Sequence, residues 1–178
     1  ALHRDPTTMT AKRKHATAPL RQDGLETRRQ LLEAAGEIFA EHGYAKATSK
    51  EICLRANANV AAVNYHFGGK DGLYAAVLEE AHSRIVSIES MQAAAQSRID
   101  PRAKLRIFLN RIVTEVAKSG STGWELRVLS REVLSRSSLS AGLVQNQIAP
   151  KAKLLRGVIA EIMELPADDP GVSRSLVN

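Results

Sequence analysis

The side chains between residues 48 and 70 are of the types that bind nucleic acid. Ser49 and Lys50 open a predicted short helix, whose first amides and lysine charge can hold a phosphate. The next helix begins with the small residues 60–62, which allow close approach to base edges in a major groove about 12 Å wide. The residues that come after them are polar: Asn64, Tyr65 and His66. The pattern predicts DNA binding, and the alternative is a helical hairpin packed in an ordinary core.

Other kinds of chemistry have weaker support in the sequence. Glu79 and His82 form a Glu-x-x-His pair, which is half of a di-iron site in a helical bundle, but the sequence has no second pair. The run Gly68-Gly69-Lys70 lacks the earlier glycine and the preceding strand of a phosphate-binding loop. Residues 120–123 follow no strand and do not form a nucleophile elbow. We therefore expect no enzyme activity, metal or cofactor, and a di-iron enzyme is the catalytic alternative.

Charge and composition are compatible with a nucleic-acid partner. The net charge is +6, and residues 1–70 hold 11 Lys and Arg against 7 Asp and Glu, so the positive excess lies mainly in the N-terminal part. The one cysteine, Cys53, excludes an intramolecular disulfide and any zinc site with two cysteines. Because no apolar run approaches about 18 residues and no secretion signal is recognisable, we expect a cytoplasmic protein without a membrane segment.

The chain is expected to begin with a flexible basic arm and then a helix. Residues 1–22 show no apolar periodicity and contain Lys12-Arg13-Lys14-His15. This run can enter a minor groove or follow the DNA backbone, and a solvated tail is the alternative. Asp23 and Glu26 form a capping box for the first helix, which Gly43 ends.

Two short helices joined by a turn come next, an arrangement typical of a helix-turn-helix. Thr48 and Glu51 form a second capping box. Asn57 can adopt the positive φ that the turn needs, and Asn59 caps a helix from Val60 to about Phe67. The residues of this segment that we expect in the core are Ile52, Cys53, Val63 and Phe67.

The rest of the chain is also expected to be helical, and no segment has a convincing strand pattern. A kink is expected at Pro150, and Asp168-Asp169-Pro170 has the features of a further helix start. The predicted helices are Lys70 to the mid-90s, one that starts at Asp100-Pro101, Trp124 to about Leu134, and Ala141–Leu165.

A series of short motifs between residues 25 and 78 carries a family resemblance. The motifs are Gly43-Tyr44, Ala47–Ile52, Ala56–Asn59, Val63–Phe67 and Lys70–Leu73. In this order they resemble the TetR family of bacterial transcriptional repressors. Residues 129–132 (Leu-Ser-Arg-Glu) and the later helix that contains Pro150 are similar to the CerR/CecR-type branch of that family. The turn departs from the family pattern, with Asn57 and Ala58 where Gly and Val are usual. Gly69 stands where Ser or Asn usually caps the fourth helix.

The resemblance implies an N-terminal three-helix DNA-binding domain over residues 23–69, followed by a helical-bundle ligand-binding and dimerisation domain over residues 70–178. It also implies a homodimer that binds a double-stranded DNA operator and is released by a small-molecule effector. By their positions in the motif, Val60, Ala61, Ala62 and Asn64 would face base edges. The residues that would contact phosphates are Thr48, Ser49, Lys50, Asn59, Tyr65, His66 and Lys70. A rival interpretation packs the Tyr65 ring on the first helix.

The resemblance places an effector pocket between helices of the C-terminal part. Candidate lining residues are Met91, Phe108, Trp124, Arg127 and Arg131, for each of which an ordinary core or surface position is the alternative. The family usually has nine or more helices and about seven are predicted here, so we expect a truncated chain. The competing function is a helical small-molecule-binding or dimerisation module without DNA binding, in which Val60, Ala61 and Ala62 would be buried.

Overall fold

Helices make up most of the part of the chain that the structure, a computed structural model, describes: residues 18–119, 123–135 and 137–175. No strand occurs among those residues, so the predicted all-α class is confirmed. None of these helices is long and apolar enough to span a membrane. The helices are α1 (Ala18–His42), α2 (Ser49–Arg55), α3 (Val60–Phe67), α4 (Lys70–Ile85), α5 (Ile88–Gln96), α6 (Pro101–Ser119), α7 (Trp124–Ser135), α8 (Ala141–Leu143), α9 (Ala149–Met163) and α10 (Pro170–Ser175).

The first helix begins earlier than its predicted start at Asp23. Helix α1 begins at Ala18, and the Thr27 hydroxyl donates to the Asp23 backbone carbonyl at 2.8 Å inside the helix. The capping box that we predicted for Asp23 and Glu26 is therefore wrong, because good helix formers such as Leu20 precede Asp23 and the helix continues through it. Of the predicted basic arm, residues 1–17 lie outside the described residues, and residues 18–22 belong to α1.

The caps predicted for the helix-turn-helix are present. The Thr48 hydroxyl accepts from the Glu51 amide at 3.2 Å, and the Asn59 side-chain oxygen accepts from the Ala61 amide at 2.9 Å. Asn57 takes a φ of 50° in the turn between α2 and α3. These local interactions determine where both short helices start and how the chain turns between them.

One hydrophobic core joins the helix-turn-helix to later helices. Its buried residues come from α1 to α4, from α7 and from Leu143 of α8. Phe39 of α1 packs edge-on against Tyr74 of α4, with ring centroids 4.9 Å apart, and Val128 of α7 is fully buried in the same cluster. Helix α4 therefore packs on α1 and α3 on the N-terminal side and on α7 of the later chain.

A second core lies farther along the chain, and it explains where the predicted long helix breaks. Helix α4 ends at Ile85, Val86 is extended, and the Ser87 hydroxyl accepts from the Ser90 amide at 3.2 Å to start α5. The continuous helix that we predicted from Lys70 to the mid-90s is therefore wrong. The break allows Met91 of α5 to join Phe108 of α6 and Val158 of α9.

The helix that we predicted over Ala141–Leu165, with a kink at Pro150, is interrupted by a π-helical turn just before that residue. A five-residue π-helical turn, Val144–Ile148, joins α8 to α9, and Pro150 lies at the start of α9. Proline has no amide hydrogen to donate to a carbonyl four residues earlier, which favours an interruption at this position. The predicted starts at Asp100 and Asp169 are confirmed, since their carboxylates accept from the amides of Arg102 and Gly171 at 2.9 and 2.6 Å.

Candidate nucleic-acid interface

Helix α3 has one exposed face and one buried face. Val60, Ala61, Asn64 and Tyr65 are exposed, and steps of about 100° per residue place them within one arc of about 140°. The opposite arc turns to the first core: Val63 is buried there, and the half-buried residues are Ala62, His66 and Phe67. Ala62, which we predicted to face base edges, therefore packs against the core instead. We call Val60, Ala61, Asn64 and Tyr65 the exposed face of α3.

Two large side chains on this face have little protein around them. Val60 is 46% exposed and Tyr65 is 85% exposed. The Tyr65 ring contacts the neighbouring His66 ring edge-on, at 4.8 Å between centroids. The rival interpretation, in which this ring packs on α1, does not fit such exposure. The structural hairpin would bury Val60, Ala61 and Ala62, but Val60 and Ala61 are exposed and only Ala62 packs against the core.

The residues predicted at the start of α2 also lie at the surface. Thr48 and Lys50 are exposed, and Ser49 is half-buried. Thr48 and Asn59 use one oxygen lone pair each as helix caps, which leaves the Thr48 hydroxyl hydrogen and the Asn59 amide hydrogens available to donate. Both side chains can therefore hold a helix end and donate to a phosphate.

Lys70, at the start of α4, is held by an aromatic ring to which the motif assigned no role. Its ammonium lies 4.4 Å from the centroid of the Tyr44 ring, a cation–π contact. The Tyr44 hydroxyl donates to the Asp71 carboxylate, and this hydrogen bond raises the pKa of Tyr44, so the phenol stays protonated. Tyr44 thus positions the lysine. The sequence feature that could have indicated this role is its position in the Gly43-Tyr44 motif.

The residues expected to be core are buried or packed on the core. Ile52 and Val63 are fully buried, and Phe67 packs against the same cluster with the Arg28 guanidinium 5.1 Å from its ring centroid. Cys53 is buried, and this burial raises the pKa of its thiol. The cysteine is thus a small apolar core residue in its protonated form.

The predicted effector-pocket residues do not converge on one site. Met91 and Phe108 lie together beside a cavity of about 10 Å³, which has room for about one water molecule. Trp124 packs against α1 instead, and its indole nitrogen donates to Glu33 at 2.9 Å. Arg131 donates to the carbonyl of Ala40 at 2.8 Å and so holds the end of α1, while Arg127 is exposed.

The Glu-x-x-His pair has a structural environment and not a metal-binding one. His82 Nδ1 lies 2.9 Å from the ammonium of Lys151, a buried lysine of α9 that also donates to Gln147. Burial, with the nearby Lys151 charge, lowers the pKa of His82 to about 4. Among the residues that the structure describes, no three His, Cys, Asp or Glu side chains group as a metal site. No local sequence pattern predicted this buried contact between α4 and α9.

Two family models match separate parts of the chain. Residues 31–77 match the bacterial regulatory proteins of the tetR family, and residues 101–177 match the C-terminal domain of the HTH-type transcriptional dual regulator CecR. The first match covers the helix-turn-helix and the first half of α4, and the second covers α6 to α10.

Individual proteins give the same result. The HTH-type transcriptional dual regulator CecR of Shigella flexneri is 30% identical over 155 residues, which are 82% of this chain and 69% of that protein. The HTH-type transcriptional activator FasR of Mycolicibacterium smegmatis is 38% identical over 81 residues, 46% of this chain and 36% of that protein. The chain thus spans about a third of the length of FasR.

A solved structure supports the fold. A TetR family transcription regulator from Marinobacter aquaeolei VT8 superposes with a TM-score of 0.65 at 18% identity, over 81% of this chain and 72% of that one. Together with the identity to CecR, the two family matches and the helix-turn-helix geometry, this shows that the chain belongs to the TetR family of bacterial transcriptional regulators, with a C-terminal part of the CecR type.

Proposed function

We propose that the protein is a sequence-specific DNA-binding repressor that acts as a homodimer and leaves its operator when a small molecule binds. The observation that carries this proposal is the exposed face of α3, where Val60 and Tyr65 present apolar surface to solvent. An exposed helix face of this kind fits the major groove. The relatives include an activator and a dual regulator by name. Repression, as opposed to activation, is therefore part of the proposal.

Within this proposal, the polar residues around α3 bind the DNA backbone. Lys50 and Lys70 supply positive charge to phosphates, and hydrogen bonds come from the hydroxyl and amide side chains of Thr48, Ser49 and Asn59. His66, half-buried at the edge of α3, is placed to support such contacts. Residues 23–69 then form the DNA-binding domain, and residues 70–178 form the regulatory domain.

The effector site is proposed next to Met91 and Phe108, since these are the predicted pocket residues that share a cavity. A ligand pocket usually needs about 300 Å³ or more, so binding there requires α5 and α6 to separate. Helix α5 follows α4 directly, and α4 begins at Lys70 beside the recognition helix. Movement at α5 would therefore reach the DNA-binding surface through α4.

Fluorescence anisotropy on the intergenic DNA upstream of the gene, against scrambled DNA, tests the proposed function. We expect a preference of about 10³-fold or more at moderate salt. Substitution of Lys50 or Lys70 by alanine should weaken binding to both DNAs and reduce the salt slope by about one for each phosphate that is no longer neutralised. The matched control is Lys153→Ala, an exposed lysine of α9, which should leave affinity and slope unchanged.

The competing function makes the opposite prediction. A helical small-molecule-binding or dimerisation module would show no preference between the two DNAs, and selection from random DNA would enrich no sequence. Sedimentation of the same sample shows whether a dimer was present. A dimer without sequence preference in both assays would overturn the proposed repressor.

A further inference from the structure

The chemistry of the exposed face of α3 indicates which bases it contacts. This face presents two aliphatic side chains, Val60 and Ala61, in the first turn, and Asn64 and Tyr65 one turn later. Helix geometry places Val60 and Asn64 next to each other along the helix. A helix entering the major groove by its N-terminal end brings Val60 and Ala61 closest to the base edges.

The residue types that most often bind guanine are absent from this helix. The commonest specific contact to guanine is arginine or lysine, bonded to its O6 and N7 atoms. The eight residues of α3 include neither arginine nor lysine. Lys50 belongs to α2, and the Lys70 ammonium is held over the Tyr44 ring at the start of α4.

Thymine matches the first turn of α3. The C5-methyl group of thymine is the apolar group that base edges present in the major groove, and alanine and other aliphatic groups contact it. Val60 keeps 46% of its surface exposed, and Ala61 is exposed beside it. Contact with a thymine methyl would remove apolar surface of both partners from water, which favours binding.

Adenine matches Asn64. Its side chain is exposed and makes no hydrogen bond with another described residue, although its backbone carbonyl accepts from the Gly68 amide at 2.9 Å. The free amide therefore has an acceptor oxygen and a donor nitrogen together. Asparagine uses this pair to bind the N6 and N7 atoms of adenine at once.

We propose that α3 recognises A·T base pairs, with thymine methyl groups against Val60 and Ala61 and an adenine against Asn64. The inference rests on the proposed function, because it assumes that α3 enters a major groove. It adds the chemistry of the operator: each half-site contains A·T pairs at the positions under α3, and G·C pairs at those positions are disfavoured.

Selection from random double-stranded DNA with the purified protein gives the operator for the test. Base analogues then remove single groups from it. Deoxyuridine in place of thymidine removes only the C5-methyl group, and 7-deazaadenine removes only N7. We expect deoxyuridine at a thymine under α3 to weaken binding about fourfold per half-site, the factor that about 0.8 kcal/mol per buried methyl gives. The same replacement in the spacer between half-sites should have no effect.

Variants connect each effect to a side chain. Val60→Ala should bind the thymine operator more weakly and lose most of the deoxyuridine effect. Asn64→Ala should lose the 7-deazaadenine effect and keep the deoxyuridine effect. Lys70→Ala is the matched control, since it should weaken binding to all of these DNAs by one common factor. Circular dichroism checks that the variants fold, as expected for exposed positions.

The outcomes separate the inference from the proposed function. A selected operator with essential G·C pairs under α3, or full affinity after all half-site thymidines become deoxyuridine, overturns the inference and leaves the repressor in place. Failure to select any sequence overturns the proposed function and the inference with it. A deoxyuridine effect that Val60→Ala does not change overturns the assignment of the methyl contact to Val60.

Discussion

Single buried polar residues outside the helix-turn-helix make specific hydrogen bonds. Glu132 of α7 is buried, and one of its carboxylate oxygens accepts from the Tyr74 hydroxyl of α4 at 2.9 Å. The other oxygen accepts from the amide and the hydroxyl of Ser137 at 2.9 and 2.8 Å. Burial and the Glu132 hydrogen bond raise the pKa of Tyr74, so its hydroxyl remains a donor. The buried carboxylate thus receives hydrogen bonds from α4 and from the segment that follows α7.

Tyr74→Phe should lower the free energy of unfolding by about 2 kcal/mol, because it removes one donor from a buried carboxylate. Urea unfolding followed by circular dichroism measures this. The matched control is Tyr65→Phe, whose hydroxyl is on an 85% exposed ring and whose removal should change stability by less than about 0.5 kcal/mol. Equal destabilisation of the two variants would contradict the assigned role of Tyr74.

His82 should make the fold sensitive to mild acid. Its pKa is lowered to about 4 in the folded protein and stays near 6.5 in the unfolded chain. The unfolded state therefore binds the proton more readily, so stability is full above pH 6.5 and falls as the pH drops toward 4. A ring fully shielded from solvent would lose about 2 kcal/mol between pH 7 and pH 5, and this partly exposed ring should lose about 1 kcal/mol.

Urea unfolding of the wild type and His82→Gln at pH 7 and pH 5 tests this. The loss of stability at pH 5 should be smaller in the variant by about 1 kcal/mol, since glutamine does not titrate. Lys151 of α9 is the charged group that faces the ring within hydrogen-bonding distance. The same pH dependence in both proteins would show that His82 does not cause it.

At the level of helices and turns, the turn between α2 and α3 determines how α3 is oriented relative to α2. Asn57 has a φ of 50° there, and the Ala58 amide donates to the Cys53 carbonyl at 2.9 Å across the turn. A left-handed conformation is costly for most residues but is tolerated by asparagine and glycine. The residue type at position 57 therefore affects stability through its backbone conformational preference.

Asn57→Ala should lower the free energy of unfolding by about 1 kcal/mol, because the left-handed conformation is unfavourable for alanine. Asn57→Gly should stay within about 0.5 kcal/mol of the wild type, because glycine adopts the conformation freely but has a more flexible unfolded chain. Thermal unfolding of the two variants side by side gives the comparison. Alanine and glycine variants of equal stability would argue against the turn conformation described here.

At the scale of the whole molecule, α1, α4 and α7 are joined by packing and by charge. Arg84 of α4 lies between Glu33 of α1 and Glu125 of α7. It donates a hydrogen bond to Glu125 at 3.1 Å and forms an ion pair with Glu33. Its guanidinium lies 5.1 Å from the centroid of the Trp124 ring. Because α4 follows α3 directly in the chain, this junction connects the proposed DNA-binding and regulatory halves.

Gly36→Ala should destabilise this junction by about 1–3 kcal/mol, the usual range for overpacking. A Cβ at Gly36 of α1 would overlap the Trp124 ring, so the two helices would have to move apart. Differential scanning calorimetry gives the change in melting temperature. The control is Gly157→Ala in α9, where a Cβ meets nothing within 4 Å and helix propensity favours alanine by up to about 1 kcal/mol. A Gly36→Ala protein as stable as the wild type would contradict this packing.

The features that could be predicted from the sequence are local. The caps at Thr48 and Asn59 join side chains to amides two or three residues ahead, and the turn at Asn57 follows from the residue type. Residue order decides such interactions, because both partners lie in one short segment. The all-α class and most of the exposed face of α3 could be predicted for the same reason. Ala62 could not, because only packing against the core distinguishes it from Ala61.

The contacts between distant residues could not be predicted, because they form only in the folded chain. Trp124 binds Glu33, which is 91 positions away, and Lys151 meets His82 at a separation of 69. Contacts with α1 place Trp124 and Arg131 outside the predicted pocket. The predicted long helix is interrupted, and a new helix that packs in the second core begins after Ser87. The physical reason is that burial depends on which surfaces meet when the chain closes into a core, and no local stretch of sequence contains both surfaces.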